Sequence, residues 1–136
     1  MNSQSYARAS LSGAPPDQSS SDKRAVLDAA KIGALWTVIG FGDAVLAMSM
    51  GAEPWRLFYI AGVVGVPAAT LFFMPSRVAL AMLIAVSLIT VAGLAVIYVQ
   101  GGGIIAPVMM LLNIAFVGVF ARGFRAASRL AKQAGA

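Results

Sequence analysis

The sequence predicts an all-α membrane protein with four transmembrane helices arranged as two antiparallel hairpins. Three observations carry that prediction. Hydrophobic residues make up 60% of the 136 positions, against 11% charged residues, and mean hydropathy is +0.84, well outside the range of water-soluble domains. The apolar residues fall in uninterrupted runs long enough to cross a hydrocarbon core of roughly 30 Å. The links between the runs are very short, which forces consecutive helices to lie side by side in opposite directions.

The first 23 positions, "MNSQSYARASLSGAPPDQSSSDK", are rich in Ser, Pro and Gly and poor in large aliphatics. A segment of this kind buries too little surface to offset its chain entropy, so residues 1–23 are expected to form a disordered cytoplasmic tail. The tail lacks an early apolar core, which argues against a cleaved secretory signal. Ser21 or Asp22 is the expected cap of a helix that begins at "KRAVLDAAK", where Arg24 and Lys31 flank Asp28 at helical pair spacing.

The four-helix domain is expected over residues 24–121, with spans near 32–50, 57–74, 78–99 and 104–121. The connecting stretches read "GAEPWR", "PSR" and "QGGG". A transmembrane barrel would need short alternating segments, and "VALAMLIAVSLITVAGLAVIYV" does not alternate. Pro67 and Pro107 each remove a backbone donor and are expected to shape or kink their helices. Gly101 to Gly103 read as a tight turn, because a phosphate-cradling loop would need a strand before it and a helix or lysine after it.

Orientation follows from the short loops. With both termini in the cytoplasm, all ten Lys and Arg residues except Arg56 fall on the inner side, the bias expected of a bacterial inner-membrane protein. Trp55 and Tyr98 then sit near the outer interface and Trp36 near the inner one. Residues 122–136 continue the last helix as a basic amphipathic tail. Arg122, Arg125, Arg129 and Lys132 cluster on one side of it, suited to anionic lipid headgroups or to a cytoplasmic partner.

The absence of Cys and His from the sequence excludes disulfides, thiolate metal sites, cysteine nucleophiles and imidazole acid–base chemistry. No catalytic residue, metal ligand or cofactor site is expected, and the reading is that the chain is not an enzyme. The net charge of +5 flanks apolar runs and does not interleave with exposed aromatics, so lipid headgroups rather than nucleic acid are the expected counter-charge.

One acid stands inside a run, Asp43 in "VIGFGDAVLAM". Placing it in lipid costs about 2.5–3.5 kcal/mol, so it is expected to face protein, with Asn113 as its preferred partner and Ser87 and Thr90 as further candidates at similar depth. Gly33, Gly40 and Ala47 on the first span, and Ala61, Gly65 and Ala68 on the second, form small-residue faces suited to close packing on other helices.

The stretch "GDAVLAMSMG", with its acid midway along the first of four short helices, resembles the small multidrug resistance transporters. That resemblance implies proton-coupled exchange at Asp43, although that family carries glutamate there and places aromatic and acidic landmarks in its last two helices. The hairpin "YIAGVVGVPAATLFFMPSRVALAMLIAVSLIT" is similar to the membrane anchors of quinoprotein dehydrogenases, which implies an anchoring role. Where those anchors have an aromatic and acidic motif, this chain reads "IYVQGG".

The function expected on these grounds is that of a non-catalytic accessory, anchor or assembly subunit of a larger membrane complex. Such a subunit binds a protein partner within the membrane or a second copy of itself. The alternative is a small dimeric proton-coupled transporter using Asp43. A lipid-responsive regulator working through the basic tail is a third class.

Overall fold

The structure, a computed structural model, describes residues 16–135, and among them every regular element is helical. Four helices are long and apolar enough to cross a membrane. We label them α1 (Pro16–Ser49), α2 (Trp55–Phe73), α3 (Arg77–Val99) and α4 (Ile105–Gln133). Arg8 and most of the expected N-terminal tail lie outside the described residues.

The first helix starts at Pro16, ahead of the expected cap at Ser21 or Asp22. Pro16 suits a first helical turn, where its missing N–H has no partner to lose. Residues 16–23 are therefore helical, a correction to the expected boundary of the tail. The outer helices are also the long ones. At about 1.5 Å per residue, α1 extends roughly 50 Å and α4 roughly 43 Å, against roughly 28 Å for α2 and roughly 35 Å for α3. The surplus of α1 and α4 lies at the end where the α2–α3 link turns, so the two helices continue past it as a pair.

Short links join the elements. After α1, the amides of Met50 and Ala52 both donate to the Ala47 carbonyl at 3.0 and 2.9 Å, and Gly51 takes φ +93. After α3, the Gly102 amide donates to Ile97 at 2.9 Å across Gly101, at φ +92. Both glycines occupy left-handed backbone that a side chain would strain. Between α2 and α3, Ser76 caps the third helix, accepting from the Ala79 amide at 3.2 Å.

Pro67 and Pro107 behave differently. Ahead of Pro67 the helix widens into a π-helical turn over Ile60–Gly65, closed by the Val66 amide donating to Ala61. The wide turn accommodates the ring of Pro67, which would otherwise press on the carbonyl one turn back. Pro107 sits in the first turn of α4, where backbone donors are unpaired in any helix, so it shapes no kink there.

Each helix packs on its two neighbours, α1 on α2, α2 on α3, α3 on α4, and α4 back on α1. Small residues set the α1–α2 contact. A Cβ added at Gly33 would meet Ala68 Cβ at 2.8 Å, one at Gly40 would meet Ile60 at 3.0 Å, and one at Gly65 would meet Thr37 at 3.3 Å. As the α1 numbers rise, the α2 numbers fall. The glycine and alanine faces singled out in the sequence are thus largely spent inside the chain; Ala47 is buried as well, and Ala61 is half-buried.

The core lies toward the end of the bundle that carries the termini. It contains Val64, Leu71, Leu80, Leu83, Phe116 and Phe120, with Ala25, Ala29, Ala30, Ala126 and Ala127 where the outer helices meet. Gly123 lets α4 approach closely, since a Cβ there would stand 3.0 Å from Ala29 Cβ and 3.1 Å from a Leu80 methyl. Trp36, expected near the inner interface, packs against this core, stacked on Phe120 at 6.2 Å and tilted against Phe116 at 6.0 Å.

Candidate functional site

Two sites arise from this packing, a cavity toward the end of the bundle opposite the chain termini and an ion pair at the end that carries them. The cavity has a volume of about 210 Å³ and is walled by all four helices. Asp43 contributes from α1, Tyr59 from α2, Thr90 from α3 and Asn113 from α4, while Trp36 and Phe116 form its floor above Phe120. The structure therefore brings Asp43, Thr90 and Asn113 to one space, as the sequence suggests. Ser87 is fully buried beside it and does not line it.

The polar partnership expected within that space is not made. Asn113 is 1% exposed, and its side-chain nitrogen donates to the Met109 carbonyl one turn back at 2.9 Å. Its Oδ1, and Ser87 Oγ, are buried without a hydrogen-bond partner. Thr90 spends its hydroxyl proton on the Val86 carbonyl at 2.8 Å, as Thr37 does on Gly33 and Thr70 on Val66, both at 2.8 Å. Asp43 is exposed and forms no hydrogen bond among the described residues.

The reason is positional. Asp43 lies at the rim of the small-residue face whose centre, Ala44 and Ala47, is buried, so its carboxylate opens onto the cavity mouth and stays out of a helix seam. Beside the Tyr59 hydroxyl and the Trp36 indole N–H, which can donate, the cavity presents two acceptors without partners among the described residues, a carboxylate at the mouth and an amide oxygen within. Groups of that kind favour a ligand that donates hydrogen bonds or carries positive charge.

At the other end, Asp22 and Arg129 form the ion pair that the sequence does not announce. Arg129 donates from Nε to both carboxylate oxygens at 3.1 Å and from Nη2 to Oδ1 at 2.6 Å. Asp22 is 1% exposed, while the Arg129 side chain is 46% exposed. It is the one ion pair found among the described residues, and Asp28 pairs with neither Arg24 nor Lys31. The two partners stand on opposite ends of the sequence, so no spacing rule could have joined them.

Of the basic tail, Arg122, Arg125 and Lys132 remain exposed, whereas Arg129 is committed to Asp22. Phe124 and Leu130 turn toward the core, so the tail helix has an apolar side already occupied by α1. Among the described residues no group of His, Cys, Asp and Glu is placed to hold a metal ion.

The chain matches no protein-family model, no curated protein and no solved structure.

Proposed function

We propose that the protein is a four-pass component of a bacterial inner membrane, folded as two antiparallel hairpins with both termini cytoplasmic, and that it serves as a non-catalytic accessory, anchor or assembly subunit of a larger membrane complex. The observation that carries this reading is the packing of the inner half of the bundle. Leu80, Leu83, Phe120, Ala29, Ala30, Ala126 and Ala127 are all fully buried across its section, and the Asp22–Arg129 pair joins the outer helices beyond them. A plug of close-packed side chains leaves no water path through a single chain, which favours a structural role over conduction.

The surface left for a partner is apolar and runs along the outside of the helices, with Val38, Val45, Phe58, Val66, Ile89 and Leu111 all exposed. Lipid tails and partner helices compete for such surface, and packing decides between them. Partner contact on this reading falls on these outward faces, since the small-residue faces of α1 and α2 are largely consumed within the bundle. Anionic headgroups meet Arg122, Arg125 and Lys132 on the cytoplasmic side.

The cavity supports a second reading, a dimeric proton-coupled transporter in which Asp43 is the coupling group. Reconstitution into vesicles carrying an internal pH dye separates the two. On the accessory reading the wild-type protein and Asp43→Asn give the same background proton flux, and co-purification from mild detergent retains a stoichiometric membrane partner. Proton flux that depends on the wild-type carboxylate, with the helical signature of the variant intact, reverses the choice.

A further inference from the structure

A second concavity, distinct from the outer cavity, lies at the inner end of the bundle. Its volume is about 520 Å³, and it is enclosed by α1, the end of α2, the link to α3 and the tail of α4. The walls are Val26, Leu27, Leu71, Phe72 and Leu130, with Lys23 at the polar end. Its wall includes the last turn of α2, ending at Phe73, which on the proposed membrane insertion is where the short helix reaches the inner boundary of the apolar layer. The groove thus straddles the level at which hydrocarbon gives way to headgroups.

We propose that this groove seats one anionic phospholipid of the cytoplasmic leaflet, an acyl chain lying against Leu71, Phe72 and Leu27 and the headgroup phosphate resting on the Lys23 ammonium. Charge complementarity selects that occupant. The nearest acid on α1, Asp22, faces away into its pair with Arg129, so Lys23 meets the groove with its charge uncompensated by its neighbour. Leu27, 40% exposed, lies one helical turn from Lys23, and Phe72, 49% exposed, lines the same groove from α2. A zwitterionic lipid brings a phosphate to the lysine together with its own ammonium, so the net positive charge of the site stays uncompensated, and an apolar helix from a second copy leaves the lysine without any counter-charge. Lys23 and Leu130 each adjoin a member of the ion pair in sequence, so the same turns of α1 and α4 both clasp each other and frame the groove.

The inference rests on the proposed membrane insertion, and the test distinguishes failure of one from failure of the other. The full chain carrying Trp36→Phe, Trp55→Phe and Phe72→Trp is reconstituted in phosphatidylcholine vesicles. Into these, phosphatidylglycerol or phosphatidylcholine with brominated acyl chains is titrated at equal mole fraction, and tryptophan quenching is read. Brominated phosphatidylglycerol should quench several-fold more effectively than brominated phosphatidylcholine, and adding Lys23→Gln should bring the two together, whereas adding Arg56→Gln, at the opposite end of α2, should not. Equal quenching by both lipids with Lys23 in place means ordinary annular lipid and overturns the site. No quenching by either in a protein that floats with the vesicles means that another chain covers the groove, which overturns it equally. A protein that does not float overturns the membrane reading itself. Native mass spectrometry of the unmodified chain from detergent gives an independent readout: retention of phosphatidylglycerol over phosphatidylcholine, lost in Lys23→Gln, is the supporting result, and equal retention is not.

Discussion

Asp22 and Arg129, separated by 107 residues, are joined by three hydrogen bonds, the shortest 2.6 Å, with the carboxylate buried and the guanidinium half open to solvent. The pair closes the ring of four helices by tying the first to the last. Charge-assisted, forked bonds of this kind fix orientation as well as adding energy.

Removing either partner should loosen the end of the bundle that carries the termini. Asp22→Asn leaves Arg129 able to turn to water, whereas Arg129→Gln strands a buried carboxylate, so the second change should cost more. Thermal unfolding in detergent should rank the wild type above Asp22→Asn and Asp22→Asn above Arg129→Gln, with Arg125→Gln, which has no partner of this kind, close to wild type. The double reversal, Asp22→Arg with Arg129→Asp, should regain part of the loss. Equal melting of all five proteins would show that the pair contributes nothing measurable.

Close approach of backbones at Gly33 and Gly123 should make those positions intolerant. A Cβ at Gly33 would stand 2.8 Å from Ala68 Cβ, and one at Gly123 3.0 Å from Ala29 Cβ. Gly33→Leu or Gly123→Leu should destabilise the bundle by about 1–3 kcal/mol through overpacking. Gly118→Leu, at a position where an added Cβ meets nothing within 4 Å, should fold as wild type. Denaturant titration of helicity in mixed micelles reads all three.

Leu80 is fully buried in the packed core toward the termini, next to the point where Gly123 passes. Leu80→Ala should lower stability by about 2–5 kcal/mol, the range for a cavity left in a packed core. On the accessory reading it should not by itself create proton leakage in vesicles. Leakage in this variant would show that the plug is what keeps the bundle closed.

Asn113 carries an amide oxygen that is buried without a partner, at a cost of about 1–3 kcal/mol for a group of this type. Asn113→Leu should therefore raise thermal stability if the oxygen has no role beyond packing. A stabilised variant that also loses partner retention or Asp43-dependent flux would mark the amide as a group kept for function at the expense of stability.

Much of the architecture was legible along the chain because lipid imposes strong local rules. Runs such as Val78 to Val99 have to satisfy their backbone polar groups within a helix, and the predicted span matches α3 to within one residue. Periodicity marked the small-residue faces but not what they pack on: Gly33 meets Ala68, Gly40 meets Ile60 and Gly65 meets Thr37, all within the chain, where the sequence offered them as faces for other helices. The cavity beside Asp43 was half legible. Depth along each helix brought Asp43, Thr90 and Asn113 together, but depth is one coordinate and rotation is another, and rotation left Asp43 at the mouth with Asn113 bonded to its own helix. Asp22 was misread as a cap because its local context, a serine-rich stretch before an apolar run, has the pattern of a helix start.

Helix number, span and class needed nothing beyond residue order, because hydrophobic length and backbone hydrogen bonding act within a single segment. The choice of Arg129 from four neighbouring cations as the partner of Asp22, the turning of Trp36 into the core and the groove beside Lys23 came from packing between segments far apart in the chain. Those outcomes depend on the rotation and vertical offset of one helix against another. Both are set by which side chains interlock across the seam, and no single helix carries that information.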